Sequence, residues 1–187
     1  MNKQQWEDHY RGADSGSPQG PDELLAGNPA LLTGGLALDV ACGSGRNALY
    51  LAECGYRVIA VDRSPAAVRL ARGRARSKGL QLEAAAADML DVRFGDERFD
   101  LIANFYFLER DLIPRIKQGL KTGGLVFFET FTSHGIPRDD PRYRKFLIDP
   151  NELLTMFSDF FIFFYFERVK REKAVASMIA RKVRPCP

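Results

Sequence analysis

Leu36-Ala37-Leu38-Asp39-Val40-Ala41-Cys42-Gly43-Ser44-Gly45-Arg46-Asn47 is the stretch on which the reading of this chain turns: a short apolar strand, acidic near its end, that breaks into a tight glycine turn. Gly43 and Gly45 carry no Cβ, so the backbone there can take positive φ and approach a ligand closely. A helix predicted from about Asn47 to Cys54 follows and points its positive N-terminal end into the turn. Gly43-x-Gly45-x-x-Ala48 also satisfies the loose dinucleotide fingerprint G-x-G-x-x-G/A, so the turn by itself does not choose between cofactors. Asp39 tips the reading, because a carboxylate there repels a pyrophosphate and attracts a cationic amine.

Outward from this turn, strands and helices alternate with short connections, the pattern of βαβ units and a mostly parallel sheet. Strands are predicted at Leu36–Val40, Arg57–Val61, Leu82–Ala86, Phe99–Ala103 and Leu125–Glu129. Helices are predicted from Ser64-Pro65 to about Lys78 and from about Arg110 to Leu120, and Gly55 and Gly79 stop the helices before them. Residues 131–149 then form a loop longer than the roughly 12–15 residues at which loops become either functional or disordered. A short helix near Pro150 to Phe157 precedes two strands, Phe160–Val169 and Ala174–Val183, joined by the charged turn Lys170-Arg171-Glu172-Lys173. The Phe-rich run Phe160, Phe161, Phe163, Phe164 and Phe166 reads as core, in a strand covered on both faces.

In open α/β sheets ligands bind outside the carboxyl ends of the strands, near the switch point of strand order. Asp39, Gly43, Ser44 and Gly45 are placed there, and so is Asp62, nineteen residues after Gly43, whose carboxylate can accept hydrogen bonds from both ribose hydroxyls. Dinucleotide folds place an acid at the same point, so Asp62 supports a nucleoside without naming it. Each aspartate also has a purely structural reading as a turn former or helix cap.

The run LDVACGSGRNALYLAECGYRVIAVD, with its acid-x-x-x-G-x-G motif, resembles the class I S-adenosyl-L-methionine (SAM)-dependent methyltransferases, and within them the small bacterial enzymes of the tellurite-resistance TehB type. Trp6 and Tyr10 ahead of the core, and the Lys121-Thr122-Gly123-Gly124 turn in place of a K-P-G-G turn, are similar to that class too. The resemblance covers residues 36–130 well and the rest loosely. It implies an α/β fold of three layers: a doubly wound, seven-stranded, mostly parallel sheet of order 3-2-1-4-5-7-6, the last strand antiparallel. It also implies SAM as cofactor and S-adenosylhomocysteine as product. Asp88 then matches the acid used on the adenine amino group, with Met89 against the ring. Asn104 gives a further cofactor contact, and Arg46 and Asn47 match a G-R-N pattern that would meet the methionine carboxylate.

Because the sulfonium already activates the methyl group, such an enzyme mainly aligns the acceptor and excludes water, and a general base is needed only for a protonated acceptor. Tyr106, His134 and Arg138 are the catalytic candidates, while Trp6, Tyr10, Tyr106 and Tyr143 would shape the acceptor pocket. Phe107 and Thr132 border the same region. The expected acceptor is a small molecule, a thiol or chalcogen oxyanion, for which the basic run Arg138, Arg142, Arg144 and Lys145 offers anion binding. Nucleic acid is not implied: the net charge is only +3, and Asn104-Phe105-Tyr106-Phe107 lacks the prolines of the N/D-P-P-Y/F run of base-amino methyltransferases. Two rivals stay open, a non-catalytic SAM-binding module and a nicotinamide-dependent oxidoreductase.

The 187 residues suit one methyltransferase domain over 1–187, with 1–33 as an N-terminal helix and connector or lid and 131–149 as the substrate-side loop. No run is apolar enough to span a bilayer and MNKQQWEDHY lacks the apolar stretch of a signal peptide, so a cytoplasmic monomer or homodimer is expected. Three scattered cysteines and two histidines give no disulfide framework and no metal site.

Overall fold

A computed structural model describes residues 3–12, 20–133, 146–170 and 173–184. Seven strands form one sheet: β1 (Gly35–Val40), β2 (Tyr56–Asp62), β3 (Leu82–Ala86), β4 (Phe99–Phe105), β5 (Leu120–Phe131), β6 (Phe160–Lys170) and β7 (Lys173–Lys182). Their order is β3-β2-β1-β4-β5-β7-β6; β7 runs antiparallel to both its neighbours and every other pairing is parallel. The expected order and the antiparallel last strand are therefore both present.

The helices are α1 (Lys3–Arg11), α2 (Glu23–Ala26), α3 (Arg46–Glu53), α4 (Pro65–Ser77), α5 (Ile113–Gly119) and α6 (Glu152–Met156). Leu24 and Leu25 of α2, Ala48 and Leu51 of α3 and Val68 of α4 pack on one face of the sheet, against Ala37, Val58, Leu101, Phe127 and Ile179. Ile113 and Ile116 of α5 and Leu153 of α6 pack on the other, against Leu38, Val61, Ile102, Val126 and Met178. Strand residues alternate between the two clusters because successive side chains point to opposite faces. The helix predicted over Arg110–Leu120 is shorter than expected: residues Arg110–Leu112 form a 3₁₀ turn, and α5 starts where Pro114 fits a first-turn position.

One expectation fails. β6 is the outermost strand, not a covered one, and only Phe160 of its phenylalanines is buried, whereas Phe161, Phe163, Phe164 and Phe166 are exposed. Edge position, rather than composition, decides their surroundings.

Candidate active site

β1 delivers its acid and its turn to the middle of the carboxyl-end rim, between β2 and β4. Ala41, Gly43 and Gly45 all take positive φ, at 52°, 55° and 85°. Gly45 needs its missing side chain twice over: a Cβ there would sit 2.8 Å from the Ala71 Cβ of α4, in addition to the left-handed backbone. At Gly43 a Cβ would lie 2.5 Å from the Tyr10 hydroxyl. Tyr10 of α1 thus lies against the open side of the turn.

Asp39 is 1% exposed, and its Oδ2 has no hydrogen-bond partner among the described residues. Burial pushes its carboxyl up to about 7, against the lowering effects of the Ala48 backbone N–H and the Arg46 guanidinium. A buried carboxylate oxygen left without a donor is costly unless a ligand supplies one. Asp62 is differently placed: its Oδ2 accepts the Gly43 N–H at 2.8 Å and its Oδ1 the Ser64 N–H at 2.9 Å, so it ties the glycine turn to the start of α4. Burial raises its pKa, with those two N–H groups opposing. Each oxygen retains a lone pair for a ribose hydroxyl.

Other sequence candidates are already engaged. Ser44 Oγ accepts from Arg74 at 2.7 Å. Arg46 reaches Asp22 Oδ2 at 3.1 Å and Asn47 Oδ1 accepts the Asp22 N–H at 2.8 Å, so this pair holds the N-terminal segment. Asp88 is exposed and accepts the Leu90 N–H at 3.1 Å in its own turn. Met89 is 3% exposed and belongs to the core cluster with Val40 and Val61, which leaves little of it for a ring. Asn104, buried at the end of β4, donates to the Phe107 carbonyl at 2.6 Å. Trp6 is exposed and stacks on Tyr10, with ring centroids 6.0 Å apart. His134, Arg138 and Tyr143, and the rest of the basic run 138–145, lie outside the described residues.

Tyr106 follows β4 with a left-handed φ of 58°, held by its N–H on the Glu129 carbonyl at 2.7 Å. Its hydroxyl donates to Glu129 Oε1 and lies 3.1 Å from Asp22 Oδ2, while Ser177 donates to Glu129 Oε2 at 2.6 Å. Burial and the two acids push the phenol well above its ordinary pKa, so it stays a neutral hydrogen-bonding wall and not a base.

Four residues that the sequence reading missed organise this rim. Glu7, 8% exposed, accepts from the Ser64 hydroxyl at 2.5 Å and from the Ala66 N–H at 3.1 Å, docking α1 on the start of α4. Asp22 caps α2 and collects Asn47, Arg46 and Tyr106, and Glu129 and Ser177 complete the far wall. Asp22 had a readable signal in Asp22-Glu23-Leu24-Leu25, an N-cap before an apolar run. Glu7 had none, since its partners are 57 and 59 positions away.

Residues 37–124 match the family described as a methyltransferase domain. The Haemophilus influenzae protein named "Probable S-adenosyl-L-methionine-dependent methyltransferase TehB" is 26% identical over 162 residues, which is 78% of this chain and 56% of that one. Its crystal structure superposes with a TM-score of 0.75 at 22% identity, over 95% of this chain and 67% of the other. Over its matched core, residues 37–124, the chain is thus similar to SAM-dependent methyltransferase domains, and its sheet has their fold. The cypemycin N-terminal methyltransferase of a Streptomyces species is 33% identical over 107 residues, 52% of this chain and 42% of its own length. Hemagglutinin 1 of Eikenella corrodens is 40% identical over 81 residues, 42% of this chain and 27% of its own. The chain thus spans between about a quarter and just over half the length of these relatives. SAM is the cofactor of such a methyltransferase domain. No helix among the described residues is long and apolar enough to cross a membrane.

Proposed function

We propose that the protein transfers a methyl group from SAM to a small-molecule acceptor in the cytoplasm. The observation that carries this reading is the buried, unpartnered Oδ2 of Asp39 under the turn at Gly43 and Gly45. An ammonium donor satisfies it, whereas a dinucleotide pyrophosphate would add charge of the same sign. Asp62 accepts from the ribose hydroxyls, and Gly43 and Gly45 let the main chain approach. When bound, the cofactor supplies an electrophilic methyl on sulfur. The protein's part is to orient the acceptor and keep water out, which contributes about 7–11 kcal/mol when alignment is good. Tyr106, fixed by Glu129 and Asp22, forms a rigid polar wall for the acceptor beyond β4. The N-terminal segment, docked through Glu7 and Asp22 and carrying Tyr10 against the turn, closes over the cofactor as a lid, and the loop 131–149 as a second lid. The finer reading of the acceptor as a thiol or chalcogen oxyanion rests on the TehB-like resemblance and on the basic run 138–145.

Calorimetry with SAM, S-adenosylhomocysteine and NAD tests the cofactor: the first two bind and NAD does not. Tight NAD binding with no response to the others overturns the reading. Methyl transfer from labelled SAM to a panel of thiols, oxyanions and amines tests the acceptor, and amine-only transfer overturns the thiol and oxyanion assignment. Hydrogen exchange with and without S-adenosylhomocysteine tests the lids, which gain protection if they close.

A further inference from the structure

Phe161, Phe163, Phe164 and Phe166 would not share one face of a regular strand. The register shift between Ile162 and Phe164 inserts Phe163 as an extra residue, which changes the alternation at that point. Phe161 then stands opposite Arg181, Phe164 opposite Ile179 and Phe166 opposite Ser177, all on the face that α2 and α3 cover elsewhere. Phe163 joins them, its ring 5.0 Å from Phe161 and 4.5 Å from the Arg181 guanidinium. The cover stops short of β6, and the four side chains are 56%, 41%, 40% and 50% exposed. Beyond β6 no strand pairs with it among the described residues. Natural edges are ordinarily blunted by charges, proline or a bulge; here the bulge instead gathers four rings on one side, and contiguous exposed apolar surface of this kind marks an interface.

We propose that β6 is the docking edge for a second copy of this chain, the two strands running antiparallel about a two-fold axis between Phe163 and Phe164. A two-fold contact requires a patch complementary to itself. The bulge supplies one: counted outward from that axis, Phe163 meets Phe164, Ile162 meets Tyr165 and Phe161 meets Phe166, each residue facing one that points to the same side. At the ends Asp159 of one copy falls level with Arg168 of the other; both are substantially exposed, and each exchanges its partner within the chain, Lys117 of α5 and Glu23 of α2, for the pair across the axis. With about 200 Å² for each whole phenylalanine, the four rings offer roughly 400 Å² per copy. Two copies then bury about 800 Å² from the rings alone. The strand edge, Tyr165, Asp159 and Arg168 bring the contact towards the roughly 1,200 Å² at which specific interfaces begin. A contact of this size belongs with weak, reversible associations, and the sheet continues across it without touching the rim at β1 and β4.

Sedimentation velocity on the full chain from about 1 to 200 μM, the range that brackets such a dimer, shows concentration-dependent dimerisation. Phe164→Glu with Phe166→Glu abolishes it while the melting temperature and circular dichroism stay as in the parent; Phe164→Ser, a milder change, weakens it if the double variant folds poorly. Asp159→Lys or Arg168→Glu alone weakens the dimer by roughly three- to tenfold, with two such pairs per dimer, and the two together restore it. That recovery is not produced by loss of the pairs that Asp159 and Arg168 make within the chain, with Lys117 and Glu23. A chain that stays monomeric throughout, or a dimer untouched by the phenylalanine changes, overturns the proposal. A dimer that the combined charge reversal fails to restore overturns the antiparallel pairing.

Discussion

β1 and the first half of β6 are both short and mostly apolar, and they end in opposite circumstances. In β1 every residue from Ala37 to Val40 is at most 1% exposed, because β2 and β4 flank it and α3 and α5 belong to the layers above and below. In β6 four phenylalanines face outward, because among the described residues β7 alone pairs with it and the helices of that face stop short. Whether an apolar side chain is core or surface is thus a property of its neighbours in the sheet. Burial at β1 also changes chemistry: it leaves one oxygen of a carboxylate, Asp39 Oδ2, without a donor among the described residues.

The sharpest way to break this contrast is to make the same truncation at both ends. Phe127→Ala, at a fully buried site in β5, should cost about 3–5 kcal/mol in denaturant unfolding. A loss below about 1 kcal/mol would mean that the inner strands are not the packed core described. Asp39→Asn probes what burial does to charge. Folding raises the Asp39 pKa from its ordinary 3.8 to about 7, so between those values the folded state holds a proton that the unfolded chain has lost. The acid therefore weakens the protein progressively as pH rises through that window, and the loss is complete above pH 7. Asp39→Asn should stabilise the free protein by about 2–4 kcal/mol at pH 8 and by almost nothing at pH 3, read from urea midpoints. A gain independent of pH would disprove the assignment. Asp62→Ala should weaken S-adenosylhomocysteine binding by about 1–3 kcal/mol in calorimetry, and an unchanged dissociation constant would remove Asp62 from the site. The smallest effect is expected at the other end of the sheet. Phe161→Ala, 56% exposed, should shift unfolding by less than about 1 kcal/mol, measured below the concentration at which copies associate.

The same contrast explains what the sequence could convey. The succession of strands and helices, the glycine turn and the positions of Asp39 and Asp62 are legible because they rest on local patterns: an apolar run, an acid, glycines at fixed spacing; the order of the strands in the sheet comes from the family resemblance. Glu7 meeting Ser64, and Tyr106 meeting Glu129 and Asp22, are contacts between residues 57, 23 and 84 positions apart, and no local pattern announces them. Asn47 and Arg46, expected at the cofactor from the resemblance of the G-R-N pattern, also hold Asp22, a partner more than twenty positions away that no pattern announces. The phenylalanines of β6 fail for a different reason: hydrophobicity reports that a side chain prefers cover, whereas the expected order of strands already puts this one at the edge, where that face has none.

The orphaned oxygen of Asp39 also makes ligand capture an acid–base event. With a pKa of about 7 in the free protein, Asp39 is largely protonated in mildly acidic solution, and it must give that proton up before it can receive an ammonium group. Binding below neutrality therefore liberates close to one proton, and affinity declines by up to about tenfold for each pH unit below 7. The measured heat then varies with the ionisation enthalpy of the buffer, so titrations in phosphate and in bis-Tris at pH 6 should disagree, and the difference should vanish in Asp39→Asn.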